Sequence, residues 1–266
     1  MNEPKQENPA ERISLRRLQQ LALQLPPRDL EILRDLEKRR YMTSGQIARK
    51  HFTDASNDAS AQRSANYVIN RLQKHGLILS LTRRIGGIKG GSKGFVWSLT
   101  TSGCRLLHLD GETLPRYRAF EPSPRFVEHT LALSELDLQL RSINGITLME
   151  IQLEPACWRD CNGVKLKPDL FAVTSDGEYE DHWFFEIDLA TEAPCRIAQK
   201  CEQYEAYYRS GAEKIFPLVV WIVPDSRRKT SIQEQIAQSK TLKHKSIFTV
   251  ITPDELEGLI RKGAAQ

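Results

Sequence analysis

The chain has 266 residues, of which 40% are hydrophobic and 27% are charged. This is the composition of a globular protein with enough residues for two domains. No apolar run approaches the about 18 residues of a membrane helix, and the polar N-terminus lacks the apolar segment of a signal peptide. These features exclude a membrane-spanning class, so the sequence predicts a cytoplasmic protein that has no membrane partner.

The net charge of +4 is divided unevenly along the chain. Residues 1–120 carry 21 Lys and Arg against 11 Asp and Glu, a net of +10, whereas residues 121–266 carry 17 against 23, a net of −6. No acidic residue occurs between positions 59 and 109. A basic half followed by an acidic half indicates two domains with different tasks, and the basic half predicts binding to nucleic acid.

In the first half, the periodicity of the apolar residues predicts four helices, at 13–24, 28–40, 44–52 and 60–75. Two short strands at 77–81 and 95–99 follow, and then a helix at 100–107. Three helices followed by a two-stranded hairpin are the element order of a winged helix-turn-helix. We therefore predict a flexible segment with a short helix over 1–27 and a winged helix over 28–110.

In a winged helix, the helix at 60–75 would enter the major groove of DNA and the hairpin loop would contact phosphates. The polar and basic side chains on these two elements are the predicted DNA-binding residues. They are Gln62, Arg63, Asn66, Asn70, Arg71 and Lys74 on the helix, and Arg83, Arg84, Lys89 and Lys93 on the wing.

A linker at 111–123 leads to a second predicted domain over 124–266. It begins with a helix at 124–142, continues with strands at 146–153, 164–174 and 182–189, and then has a helix at 194–209 and an apolar strand at 215–223. A helix at 229–239, a strand at 246–251 and a helix from Pro253 complete the chain. The order α-β-β-β-α-β predicts an α/β (α+β) domain with a mixed sheet.

Three carboxylates mark the ends of two of these strands. Asp169 opens the second strand, and Glu186 and Asp188 close the third. Side chains two residues apart on a strand share a face. If the two strands pair as a hairpin, the three carboxylates meet at one edge, where a hard divalent cation such as Mg²⁺ would relieve their repulsion.

The order of these motifs resembles a known family. The matching stretches are residues 128–132, 167–169, 185–192 and 200–204. They resemble the replication-relaxation family and the related MobC-type relaxases of mobilizable plasmids, which have a restriction-endonuclease-like PD-(D/E)xK fold behind a winged helix. The resemblance implies a metal-dependent endonuclease that nicks double-stranded DNA at an origin of transfer or replication.

The resemblance also assigns roles to individual residues. Asp169, Glu186, Asp188 and Lys200 would be catalytic, and Glu128, Asp169, Glu186 and Asp188 would hold Mg²⁺ or Mn²⁺. The family pattern has a lysine two residues after Glu186, where this sequence has Asp188, so Lys200 on the next helix is the predicted substitute. Asp188 is either a third metal ligand or a cap of the following loop.

Two alternatives stay open at this stage. The non-enzymatic one is a DNA-binding regulator of replication or transfer, or an accessory protein of the relaxosome, with an inactive nuclease-like domain. The mechanistic one is a tyrosine nucleophile at Tyr204, Tyr207 or Tyr208, which is less favoured because the six histidines are not clustered in sequence. Other relaxosome proteins and a second copy of the chain are the further expected partners.

Overall fold

The computed structural model describes residues 13–81, 94–109, 122–161, 163–190 and 194–264. The chain forms two compact units, Met1–Ser134 and Glu135–Gln266. The division falls inside a helix that covers residues 124–142. In the described part of the chain, no helix combines the length and the apolar character needed to cross a membrane.

The first unit combines helices with a small antiparallel sheet. Its helices are α1 (Leu15–Gln24), α2 (Pro27–Arg39), α3 (Ser44–His51), α4 (Asp58–Lys74) and α5 (Thr101–Leu107). Its strands are β1 (Met42–Thr43), β2 (Ile78–Ser80) and β3 (Val96–Leu99), in the order β1-β3-β2. The helices lie where the sequence predicts them, whereas β1 is an additional strand that pairs with β3.

Local capping explains where the two central helices begin. Thr43 forms a capping box with Gln46 at the start of α3, and the Asn57 side chain accepts a hydrogen bond from the Ser60 backbone at the start of α4. The buried face of α4 carries Ala65, Val68, Ile69 and Leu72, which join the core of the unit. The opposite face of α4 therefore points to solvent.

Helix α6 (Pro124–Ser142) begins in the first unit and ends in the second. Val127 and Leu131 on its first turns pack against Val96 of β3. The Gln46 side-chain amide, already part of the capping box of α3, donates a hydrogen bond of 2.9 Å to the Leu131 carbonyl. The first half of α6 is therefore part of the first unit's core.

The second unit is built around a five-stranded mixed sheet. Its strands are β4 (Thr147–Leu153), β7 (Leu170–Ser175), β8 (Glu180–Ile187), β9 (Leu218–Ile222) and β10 (Phe248–Ile251), in the order β10-β9-β8-β7-β4. β4, β7 and β8 pair antiparallel, and β9 and β10 continue the sheet parallel to β8. The helices are α7 (Pro194–Arg209), α8 (Ser226–Gln238) and α9 (Leu256–Lys262).

The predicted strand at 164–174 is two strands in the structure. β6 (Val164–Leu166) forms a separate hairpin with β5 (Arg159–Cys161), whereas β7 begins only at Leu170. Pro168 lies between them and has no N–H to donate to a sheet ladder. Its carbonyl instead accepts a hydrogen bond from the Cys157 thiol at 2.9 Å. The break leaves Asp169 just outside the strand.

One face of the sheet is covered by α7 and α8. Phe171, Phe184 and Trp221 lie on this face and pack in one cluster with Tyr204 of α7 and Ile232 of α8. Because side chains alternate along a strand, Asp169 lies on the same face as Phe171, and Glu186 on the same face as Phe184. The two carboxylates therefore point towards the helices.

Candidate active site

Asp169 and Glu186 lie side by side at one edge of the β7–β8 hairpin. Leu170 pairs with Phe185 in the register of the two strands. The Asp169 backbone N–H donates to the Phe185 carbonyl at 3.2 Å, and Asp169 Oδ2 accepts from the Ile187 backbone N–H at 2.8 Å. Backbone hydrogen bonds thus fix one oxygen of Asp169 next to the end of β8.

Lys200 of α7 brings a positive charge to these two carboxylates. Its Nζ lies 3.6 Å from Asp169 Oδ1 and donates a hydrogen bond to Glu186 Oε2. The side chain of Glu186 is 1% exposed and that of Lys200 is 25% exposed. The ammonium group therefore contacts both carboxylates and is also reached by solvent.

Tyr204 lies one turn after Lys200 on the same face of α7. Its hydroxyl donates a hydrogen bond of 2.5 Å to Glu186 Oε1, so each oxygen of Glu186 has a donor from α7. Burial and the neighbouring Glu186 raise the pKa of Tyr204 well above its usual value. The hydroxyl of Tyr204 is buried and engaged with Glu186, which does not favour this residue as a nucleophile.

The environment of Glu186 favours its protonated form. Burial raises the pKa of Glu186 well above its usual range, and the charge of Asp169 adds to this, whereas Lys200 and Tyr204 act in the opposite direction. A carboxylate in this position needs a cationic partner to ionise. Lys200 is such a partner in the structure, and a divalent cation would be another.

Asp188 forms an ion pair with α8 instead of joining the other carboxylates. Arg228 Nε donates to Asp188 Oδ2 at 2.5 Å, and Arg228 Nη2 donates to Oδ1 at 3.2 Å. Oδ1 also accepts from the Ala190 backbone at 3.1 Å. Because β9 runs parallel to β8 and α8 follows β9, the first turn of α8 lies near the end of β8. Asp188 therefore caps this loop and pairs with Arg228. Its role as a metal ligand and catalytic residue stays a prediction.

The three carboxylates that the sequence predicts as ligands at the strand ends do not converge on one point. Among the residues that the structure describes, Asp169, Glu186 and Asp188 do not form a group of three donors within 4.8 Å of one another. Asp169 and Glu186 offer hard oxygen donors, the type that Mg²⁺ and Mn²⁺ prefer. The donor set of these two residues thus fits such a cation.

Glu128, the remaining predicted ligand, is an exposed residue of α6. It belongs to the first unit, whereas Asp169 and Glu186 belong to the second. Its role as a metal ligand stays a prediction.

The outer face of α4 carries a stripe of amide side chains. Gln62, Asn66 and Asn70 follow one another at intervals of one turn, and Gln62 Nε2 donates to Asn66 Oδ1 at 3.0 Å. Arg63 and Lys74, both exposed, lie on the same helix. Amide side chains can bind the edge of adenine through two hydrogen bonds, and basic side chains bind phosphates. Four of the six predicted DNA-binding residues on α4 are therefore exposed, and Gln62 and Arg71 are half-buried.

Arg71, the sixth residue, is engaged inside the first unit. Its Nε and Nη2 donate to the two oxygens of Asp29 at 2.9 and 2.7 Å, and the Asp29 side chain is 1% exposed. Arg71 therefore joins α4 to α2, and its side chain stays 31% exposed. Its contact with DNA stays a prediction. The predicted wing residues Arg83, Arg84, Lys89 and Lys93 lie outside the residues that the structure describes.

Sequence reasoning missed two partners in the second unit. The sequence analysis considers Tyr204 only as a nucleophile and not as a hydrogen-bond donor to Glu186. Its spacing of four residues from Lys200 places both side chains on one helix face. No local sequence pattern indicates the ion pair of Arg228, because its partner Asp188 lies 40 residues earlier in the chain.

The family model described as Replication-relaxation matches residues 33–219. This is more than half of the chain and runs from α2 to β9, so that it includes Asp169, Glu186, Lys200 and Tyr204. No curated protein and no solved structure gives a significant match. The name of the family points to a role in the replication or mobilization of mobile elements. The chain therefore belongs to the replication-relaxation family.

Proposed function

We propose that the protein is a metal-dependent endonuclease that nicks duplex DNA at the origin of a mobile element. The observation that carries the proposal is the contact of Lys200 with both Asp169 and Glu186. Two carboxylates and a lysine at the edge of a sheet are the functional groups of a PD-(D/E)xK nuclease. In this chain the lysine comes from α7 and not from the strand.

The fold around the site supports this proposal. The antiparallel strands β4, β7 and β8, with the β5–β6 hairpin inserted between β4 and β7, are followed by α7 and by the parallel strand β9. Apart from that insertion, this is the order expected of a restriction-endonuclease-like core. Asp169 and Glu186 would hold Mg²⁺ or Mn²⁺, and such an ion would supply Lewis-acid activation of water and stabilisation of negative charge. Lys200 offsets negative charge at the site, and Tyr204 fixes the orientation of Glu186.

The first unit is proposed to select the DNA. Its helices α2, α3 and α4, followed by strands β2 and β3, have the order of a winged helix. The amide stripe on α4 would read base edges in the major groove, and the absence of acidic residues from position 59 to 109 favours contact with phosphates. Double-stranded origin DNA is therefore the proposed partner.

The test is a nicking assay on supercoiled plasmid that carries the element's own origin region. Asp169→Asn, Glu186→Gln and Lys200→Met are each expected to abolish nicking in Mg²⁺ or Mn²⁺ and to leave duplex binding intact. Glu178→Gln and Lys165→Met are matched controls, because both side chains are exposed and neither contacts the site. Persistent nicking by Asp169→Asn and Glu186→Gln would overturn the proposal.

A second candidate is a DNA-binding regulator or relaxosome accessory protein that has lost catalysis. The pairing of Asp188 with Arg228 favours it, since this pair removes one carboxylate from the metal site. This candidate predicts tight origin binding with a steep salt dependence and no cleavage in either metal. A wild-type protein that binds the origin and never nicks it would establish this second function.

A further inference from the structure

A second cluster of metal-binding side chains lies in the first unit. Glu37 of α2, Cys104 of α5 and His108, which follows α5, place one donor atom each within 4.8 Å of the other two. Cys104 Sγ lies 3.5 Å from Glu37 Oε1, and His108 Nε2 lies 2.7 Å from the same oxygen. Across the described ranges of the chain, no other group of three His, Cys, Asp or Glu residues meets this distance.

We propose that Glu37, Cys104 and His108 form a Zn²⁺ site. Zinc prefers sulfur, nitrogen and oxygen donors in tetrahedral geometry, at about 2.3 Å from sulfur and about 2.0–2.2 Å from nitrogen and oxygen. These lengths place sulfur and oxygen donors about 3.5 Å apart in a tetrahedron, which is the separation of Cys104 Sγ from Glu37 Oε1. The His108–Glu37 pair must open by about 0.6 Å to reach its tetrahedral separation.

The backbone already holds the three residues in place. Cys104 lies on α5, His108 is the residue directly after this helix, and both side chains reach Glu37 Oε1. α5 is fixed at its start by Thr100, whose hydroxyl accepts from the Gly103 backbone and donates to the Gly76 carbonyl at 2.6 Å. A Cβ at Gly103 would lie 2.1 Å from the Leu77 carbonyl oxygen, so only glycine allows this close packing. These contacts fix the first turn of α5 against the strand region around Leu77.

The burial of the three side chains suits an ion that solvent reaches from one side only. Cys104 is 2% exposed, whereas the side chains of Glu37 and His108 are 29% and 18% exposed. The sulfur lies innermost and the two other donors lie near the surface. Three protein donors with water in the fourth position give zinc its usual coordination number.

The proposed ion would link two helices that are far apart in the chain. Glu37 and Cys104 are separated by 67 positions, so the ion would fasten α2 to α5 and stabilise the first unit. A thiolate and an imidazole favour zinc over magnesium. The site is thus distinct in metal and in place from Asp169 and Glu186, and it does not depend on the proposed nuclease activity.

The test is a titration of the full-length, metal-free protein with Co²⁺, which gives a thiolate-to-metal charge-transfer band only when a cysteine is a ligand. The wild type is expected to develop the band with one equivalent of Co²⁺. Added Zn²⁺ should then displace the Co²⁺ and remove the band. Cys104→Ser should remove the band. Glu37→Gln and His108→Gln should weaken Co²⁺ binding at least 100-fold, because even the loss of a group that only orients a ligand costs about 10–100-fold.

Controls separate this site from others in the chain. Cys161→Ser, a half-buried thiol outside the cluster, and the double variant Asp169→Asn, Glu186→Gln should both keep the band. Thermal unfolding in chelator shows whether each variant is folded. If Cys104→Ser does not fold, the Co²⁺ affinity of Glu37→Gln tests the site instead. Absence of the band in the wild type, or unchanged Co²⁺ binding in Glu37→Gln and His108→Gln, would overturn the proposal.

Discussion

Replacing Tyr204 with phenylalanine tests how Glu186 is held. The substitution removes the hydroxyl that donates to Glu186 Oε1 and keeps the ring in its cluster with Phe184 and Phe248. Glu186 is almost fully buried, so water does not replace the lost donor. A hydrogen bond to a charged or strongly polar buried group contributes about 2 kcal/mol, and we expect the free energy of unfolding of the second unit to fall by this amount.

This loss corresponds to a clear change in melting temperature. The second unit, Glu135–Gln266, has about 130 residues, and unfolding entropy is about 2.1 cal/mol/K per residue. The product is about 0.28 kcal/mol/K, so a loss of about 2 kcal/mol lowers the melting temperature by about 7 °C. The effect should grow as the pH rises. Because the pKa of Glu186 is raised, the carboxyl group is protonated at low pH and ionises as the pH rises through that pKa. The ionised carboxylate depends most on its hydrogen-bond donors, so the loss of the Tyr204 hydroxyl costs more at high pH.

The assay is thermal unfolding followed by circular dichroism in metal-free buffer, with Tyr208→Phe as the matched control. Tyr208 is 37% exposed and its ring packs against Phe216 and His244. Removal of its hydroxyl should change stability by less than about 0.5 kcal/mol. If Tyr204→Phe melts together with Tyr208→Phe at both pH 6 and pH 8, the hydroxyl does not hold Glu186 and the reasoning is refuted.

Three further predictions concern ion pairs. Arg228→Met leaves its buried aspartate partner unpaired and should lower the free energy of unfolding by about 3–5 kcal/mol in urea titrations, whereas the exposed neighbour Arg227→Met should not. Burial raises the pKa of Asp35, but hydrogen bonding and nearby basic groups outweigh it and lower the pKa to about 2. Asp35→Asn should therefore cost about 2 kcal/mol at pH 7 and at pH 5, and the difference from wild type should shrink as the pH falls from 4 towards 2. Arg71→Met should destabilise the first unit, whereas Arg63→Met should keep stability and reduce the salt dependence of DNA binding by about one phosphate contact. Equal effects of the two arginine variants on DNA binding would show that Arg71 also contacts DNA.

Local signals in the sequence were sufficient for most helices and for the main hairpin. The apolar spacing of Ala65, Val68, Ile69 and Leu72 predicted both α4 and its buried face. The turn at Ser175, Asp176 and Gly177 predicted that the flanking strands pair, and this pairing brings Asp169 next to Glu186. Both inferences depend on contacts between residues that are near one another in sequence.

Long-range contacts account for what the sequence did not predict. Asp188 has the spacing of a metal ligand on a strand, but the parallel crossover from β8 to β9 brings Arg228 to it from 40 residues away. The ion pair of Arg71 with Asp29 spans 42 residues, and neither residue alone distinguishes a DNA contact from an internal one. The split of the predicted strand at Pro168 was predictable in part, since proline cannot donate to a central ladder.

The way α6 completes the first unit decides how a separate fragment of that unit should be designed. A polypeptide ending at residue 110, the predicted end of the winged helix, would lose Val127 and Leu131 and expose Val96 of β3 to water. It would also leave the Gln46 amide without the Leu131 carbonyl. Such a fragment should expose this apolar surface to solvent and aggregate. A fragment for binding studies should instead extend to Ser134, so that it carries the first turns of α6 with it.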